Sequence, residues 1–303
     1  MSVLEMARRV LQVRLWQHVV NEEMKRGRFR IPIHAAFGHE ALAVALDETM
    51  REDDQLALTH RNMAYQFARA RAFAPVHEEY LLQTTGAGGG RLGSMNLTQP
   101  ERGIAYTSSI LGNNLPVACG LALAHKLRGT GAVVFALTGD GAMEEGAFYE
   151  TLLFARSHRL PLVVVVENND HSLASKIAEQ RSPVNIRTLG AALDIPCRNL
   201  AGNELGAYSE AFAEARAEAA GGPVVMEALV RTFCNHAGPT PGWATDPRHL
   251  SLGDGLLIEP TSEDPVYLAM QALGAEAAEV IDSLLKLAPT LSDAVEEVAC
   301  LNR

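Results

Sequence analysis

Two runs of the chain, AVVFALTG from Ala132 to Gly139 and LPLVVVVENN from Leu160 to Asn169, begin as unbroken apolar segments. A strand with one wet face alternates polar and apolar residues, so a continuous apolar run describes a strand covered on both faces, as in a parallel sheet. Between the runs, Phe148, Leu152 and Ala155 recur at helical spacing. The unit is therefore predicted as strand, crossover helix, strand, and a right-handed crossover makes the two strands parallel. Both strands then finish at the same sheet edge, which brings Asp140 and Asn169 together across a whole crossover of sequence. That carboxyl edge is where open parallel sheets bind ligands.

The flanking sequence repeats the alternation of helix and strand. Helical periodicity covers Val3 to Lys25, HEALAVALDETM after Gly38, Asn113 to Leu127 and about Leu205 to Ala220, while QLALTH and PVVMEALV (Pro223 to Val230) are strand candidates. This predicts an α/β fold, an open and mostly parallel sheet with helices on both faces. Residues 1–262 are expected to form that domain, and residues 263–303 a tail of two amphipathic helices that packs on the domain or on a partner. Two irregular stretches, Asp170 to Thr188 and Asn235 to Gly255, each follow a predicted strand and are expected at the same carboxyl edge. The glycine-dense segment TTGAGGGRLGSMNLT (Thr84 to Thr98) follows a helical stretch and lacks the strand that a dinucleotide fingerprint requires.

Charge narrows the partners. With 26 basic and 36 acidic residues, a formal net charge of -10 argues against nucleic acid or an anionic membrane, so an anionic ligand needs local help. Cys119, Cys197, Cys234 and Cys300 are far apart and form no metal-ligand pair; they are read as reduced thiols of a cytoplasmic protein. No apolar run is long enough to cross a bilayer. The N-terminal stretch carries Glu5, Glu22 and Glu23 within its amphipathic period, which suits a surface helix rather than a transit peptide.

At the predicted edge, Asp140 offers a hard carboxylate oxygen and Asn169 a neutral amide oxygen, and magnesium takes an octahedral shell of such ligands together with phosphate oxygens. The flanking glycines let backbone amides approach a phosphate, and a helix expected to start near Ala142 would aim its positive end at the same point. Arg61 presents a guanidinium fork suited to phosphate. His34 and His236 carry imidazoles able to exchange protons near neutral pH.

Taken in one register, Gly139-Asp140-Gly141, Glu145-Gly146, Glu150, Leu160-Pro161 and Glu167-Asn168-Asn169 resemble the thiamine diphosphate motif. In detail the chain resembles the alpha subunit of the decarboxylating first component of 2-oxo acid dehydrogenase complexes, from about Leu11 to Leu273. IPIHAAFGHEAL, THRNMAYQFARA, GGRLGSMNL and SSILGNNLPVACGLALA match further family segments, with His39 where the family has glutamine. The resemblance implies that Asp140, Asn169 and the backbone carbonyl of His171 hold Mg2+. It implies that His60 and Arg61 meet the diphosphate, that Gly139, Gly141 and Ala142 belong to the same cofactor site, and that Ser109 and Leu111 contact the aminopyrimidine through their backbones. His34 and His236 would face the reaction centre as catalytic residues. It further implies a beta-type subunit that completes the active site in an α2β2 heterotetramer, a 2-oxo acid substrate, and a lipoyl acyltransferase or other acceptor. Met63 and Asn96 depart from the family, which has histidines there. The alternatives are a carboligating or split transketolase-like subunit, or a degenerate, non-catalytic cofactor-binding subunit.

Overall fold

A computed structural model describes residues 2–173, 175–234 and 249–301. Helices α1 (Val3–Lys25) and α2 (Glu40–Thr49) precede strand β1 (Gln55–Leu58), and α3 (Met63–Ala70) and α4 (Ala74–Tyr80) precede β2 (Ile104–Thr107). Then follow α5 (Asn114–Arg128), β3 (Val134–Gly139), α6 (Gly146–Ser157) and β4 (Leu162–Asn168). A two-stranded ribbon of β5 (His171–Ser172) and β6 (Ser175–Lys176) leads to α7 (Ile177–Gln180) and α8 (Ile186–Leu193). Strand β7 (Cys197–Leu200), α9 (Leu205–Glu218), β8 (Val224–Leu229), α10 (Pro265–Leu273) and α11 (Ala277–Leu301) complete the order. The main sheet runs β2-β1-β3-β4-β8-β7, and every pair in it is parallel.

The apolar runs are uninterrupted because they feed two cores. Phe135 and Leu137 of β3, with Val163 and Val165 of β4, face a larger core that includes Val10, Leu42, Phe67 and Phe212 from α1, α2, α3 and α9. Val134, Ala136, Leu162, Val164 and Val166 point the other way, against Leu115 of α5, Leu152 of α6 and Ile186 of α8. Full burial of one such side chain stabilises by about 1.5–3 kcal/mol, so the alternate orientation of successive residues holds helices on both faces of the sheet. Helices α10 and α11 pack on α1, where Val266, Ala269 and Leu273 join the larger core.

Three elements depart from the sequence expectation. Edge strands β2 and β7 carried no readable signal: each has four residues, and Cys197-Arg198-Asn199-Leu200 has little apolar character. The helix expected from Ala142 is instead a 3-10 turn over Asp140–Glu144, and α6 begins at Gly146 because Glu145 adopts extended backbone (φ -75, ψ 136).

Polar groups tie the first helices to the later chain. The buried Arg14 donates to both carboxylate oxygens of Glu40 (2.6 and 3.1 Å), to Asp264 Oδ1 (2.9 Å) and to the Leu256 carbonyl (2.9 Å). At Gly38, with φ +101, a Cβ would lie 1.8 Å from the Arg231 carbonyl oxygen, so the absence of a side chain lets the segment before α2 press against the segment after β8.

Candidate active site

Loops leaving the carboxyl ends of four neighbouring strands wall one cavity of about 330 Å³. Thr59, His60 and Arg61 follow β1; Ser108 to Gly112 follow β2; Gly139 to Ala142 end β3; Asn169 and His171 to Leu173 follow β4. Strand β1 lies between β2 and β3, so the winding direction of the chain reverses here, and such a switch point opens a crevice in a parallel sheet. His34, His39 and Met95 close the cavity from outside the sheet. Eleven residues named from the sequence thus meet around one space: His34, His60, Arg61, Ser109, Leu111, Gly139, Asp140, Gly141, Ala142, Asn169 and His171. His236 lies outside the described residues, as do residues 235–248 of the second irregular stretch.

Asp140 is 3% exposed, and its Oδ1 accepts from the Gly141 N–H at 2.9 Å. Its Oδ2 is buried without a hydrogen-bond partner. Burial pushes the carboxyl up to about 6, although the backbone N–H groups of Gly141 and Asp170 and the charge of Arg181 draw it down. A buried carboxylate oxygen left unpaired is costly, and a cation beside it removes that cost. A Cβ on Gly139 would meet open space, whereas one on Gly141 would lie 2.5 Å from Ser172 Oγ, so only the second glycine is required by packing.

Side-chain alternation along β4 sorts its last residues. Glu167 and Asn169 line the cavity, while Asn168 points away and donates to Glu227 Oε1 at 2.8 Å. Asn169 Oδ1 accepts from the His171 N–H at 3.0 Å, and Asp170 between them takes the left-handed conformation (φ 59). The backbone thereby curls back toward Asp140, whose carboxylate feels the Asp170 N–H. A carboxylate oxygen from β3 and a carboxamide from β4 therefore share one cavity wall, and this donor set suits a hard divalent cation.

The other charge on the wall is cationic. Arg61 is 9% exposed and its Nη1 donates to the Ala35 carbonyl at 2.5 Å, which orients the guanidinium from the loop after β1. The His34 and His60 rings lie 4.8 Å apart, edge to face. Arginine and imidazole beside these oxygen donors form an environment for a polyanionic ligand in a chain of net charge -10.

Some expectations shift. Met63 is 1% exposed and packs in the larger core, and Asn96 is exposed, so neither departure from the family pattern lines the cavity; Met95 does. Sequence reasoning overlooked Glu167 as a wall residue, although its spacing of two from Asn169 on a strand was a readable signal.

A family model described as dehydrogenase E1 component matches residues 7–243. The chain belongs to the dehydrogenase E1 family. Among its relatives, the alpha subunit of acetoin:2,6-dichlorophenolindophenol oxidoreductase from Bacillus subtilis (strain 168) is 30% identical over 237 residues, covering 78% of this chain and 71% of that protein. The corresponding subunit from Cupriavidus necator is 29% identical with the same coverage. The pyruvate dehydrogenase E1 component subunit alpha of Rhizobium meliloti is 25% identical over 268 residues, covering 88% of this chain and 75% of that one. Among solved structures, transketolase from Campylobacter jejuni superposes with a TM-score of 0.60 at 14% identity, covering 95% of this chain and 50% of that chain. Transketolase from Leishmania mexicana gives 0.58 at 17% identity, covering 97% and 49%. The chain thus spans about half the length of those transketolases, and the likeness establishes the fold. As an E1 alpha-type chain it is one subunit of a multi-subunit oxidoreductase, and thiamine diphosphate is the cofactor of that family. Among the described residues, no helix is long and apolar enough to cross a membrane.

Proposed function

We propose that the cavity at the carboxyl edge holds thiamine diphosphate through Mg2+, and that the chain serves an enzyme that decarboxylates a 2-oxo acid and passes the acyl or aldehyde fragment to lipoamide or another acceptor. The observation that carries this reading is Asp140 Oδ2, buried and unpartnered on the wall that Asn169 shares. With the His171 carbonyl, these residues supply the oxygens expected of the protein's share of a magnesium shell. When bound, thiamine diphosphate supplies the nucleophilic carbon and the electron sink for breaking the carboxylate bond.

The chain's own residues bind, orient and shield. Arg61 and His60 would meet the diphosphate, and Gly141 and Ala142 would supply backbone N–H groups to its oxygens. Backbone groups of Ser109 and Leu111 would hold the aminopyrimidine. His34, beside His60, holds or returns a proton near the substrate, and His236 is assigned the same kind of role. The site is completed by a beta-type subunit in an α2β2 assembly, served by a lipoyl acyltransferase or another acceptor. Residues 1–262 act as the cofactor-binding domain and residues 263–303 as a helical tail, in a cytoplasmic enzyme. Replacing Asp140 with Asn keeps its shape and removes its charge. Calorimetric titration is expected to show loss of magnesium-dependent thiamine diphosphate binding in Asp140→Asn, and unchanged affinity would refute the assignment.

A further inference from the structure

A train of hydrogen bonds runs from Asn169 through Thr232, which does not line the cavity, to the wall residues His39 and Glu167. Asn169 Nδ2 donates to Thr232 Oγ1 at 3.0 Å; His39 Nε2 meets that hydroxyl at 2.8 Å, and His39 Nδ1 meets Glu167 Oε1 at 2.6 Å. Tyr65 donates its O–H to the same Glu167 oxygen at 2.7 Å. His39 and Tyr65 are each 1% exposed and Glu167 6%, so water cannot substitute freely for these bonds.

The direction of the train follows from what each group can do. A carboxylate only accepts, so His39 Nδ1 carries the hydrogen toward Glu167; in the tautomer assigned by that bond, Nε2 accepts from the Thr232 hydroxyl, whose lone pair receives the Asn169 N–H. On the other side of the carboxamide, the His171 backbone N–H can only donate, which places the oxygen there. The two ends agree on one orientation of the amide. Its reverse would set two donors against each other at His171 and leave the threonine oxygen facing an acceptor.

We propose that His39, Thr232 and Glu167 are positioning residues that lock the Asn169 carboxamide with its oxygen as the ligand atom. The idea rests on the magnesium reading of Asp140 and Asn169. Magnesium discriminates sharply between the two ends of an amide, because it takes oxygen ligands. Hydrogen bonds behind a metal ligand typically govern affinity by about 10- to 100-fold. The contact depends on Gly38, whose close approach to the Arg231 carbonyl brings the neighbouring residues His39 and Thr232 into register.

The test measures, by calorimetry, the Mg2+ concentration that supports thiamine diphosphate binding by the full chain assembled with its beta-type partner. Thr232→Val keeps the side-chain shape and removes the hydroxyl; it is expected to weaken magnesium binding about tenfold or more, and Thr232→Ser to restore it to within about twofold. A valine variant that binds like wild type, or a serine variant as weak as valine, overturns the proposal. Should Thr232→Val fail to fold, His39 gives a parallel pair. His39→Gln retains a donor for Glu167 and an acceptor for Thr232 and is expected to bind, while His39→Leu is expected to be weak; equal affinities overturn the proposal. Failure of the magnesium reading is separate: it appears as Asp140→Asn binding magnesium as tightly as wild type.

Discussion

The carboxyl of Asp140 loses most of its hydration at the tip of β3, and burial pushes it up from 3.8 to about 6. A raised carboxyl favours the neutral form in the folded chain. Its stabilising contribution is therefore fully present below pH 3.8 and lost as the pH rises through about 6. Asp140→Asn stays neutral throughout, so the metal-free variant is expected to exceed metal-free wild type at pH 8 by roughly 2–3 kcal/mol. The gap should close at acid pH and in saturating magnesium. Urea unfolding at both ends of the range measures it, and a gap independent of pH would contradict the account. Arg14 is the opposite case, a buried cation already paired. Arg14→Ala leaves the Glu40 and Asp264 carboxylates without their guanidinium and is expected to cost about 3–5 kcal/mol in the same measurement. Neither environment was legible in sequence, where Arg14 is one more arginine on an amphipathic helix and Asp140 an acid in a turn.

Among the elements, the glycine-dense loop illustrates how a local pattern acquires its meaning from a distant partner. Its backbone wraps a carboxylate of the chain itself: Glu79 accepts from the N–H groups of Gly88, Gly90, Leu92 and Gly93 at 2.7–3.0 Å. Cβ atoms on Gly86 or Gly90 would approach the Glu79 or Leu82 backbone to 2.5 Å, so these glycines serve close packing. The sequence excluded a dinucleotide loop from the missing strand, but the internal anion depends on how residues 79 and 88–93 close together. Glu79→Ala strips the common acceptor from four amides and is expected to destabilise by at least about 3 kcal/mol, with amide exchange accelerating first over residues 86–93. Unchanged protection there would show that the amides find other partners. The β3–α6–β4 unit behaved differently. Its strands were legible because burial on both faces demands apolar residues at every position, while the start of α6 was misplaced because Glu145 breaks the turn from the helix.

For the whole molecule, the issue is whether the cavity is a complete active site. Ile110, Leu111 and Leu173 line it yet are 68%, 49% and 64% exposed, an apolar stretch of wall facing outward. The proposed beta-type subunit would cover such a surface and supply the remaining catalytic groups. The chain purified alone is accordingly expected to lack 2-oxo acid decarboxylation, and co-expression with its beta-type partner to restore it. Full turnover from the isolated chain would refute the shared site.

The apolar periodicity, the Gly-Asp-Gly turn and the Glu-Asn-Asn strand end determined by themselves that a parallel α/β sheet carries Asp140 and Asn169 to one edge, because strand burial and crossover handedness are local rules with few solutions. Only the tertiary structure decided what stands behind them. The meeting of His39, Glu167 and Thr232, the burial of Arg14 between two carboxylates and the wrapping of Glu79 each join segments remote in sequence. Such contacts depend on the packing of the whole sheet and its helices, and no periodicity within a segment encodes them.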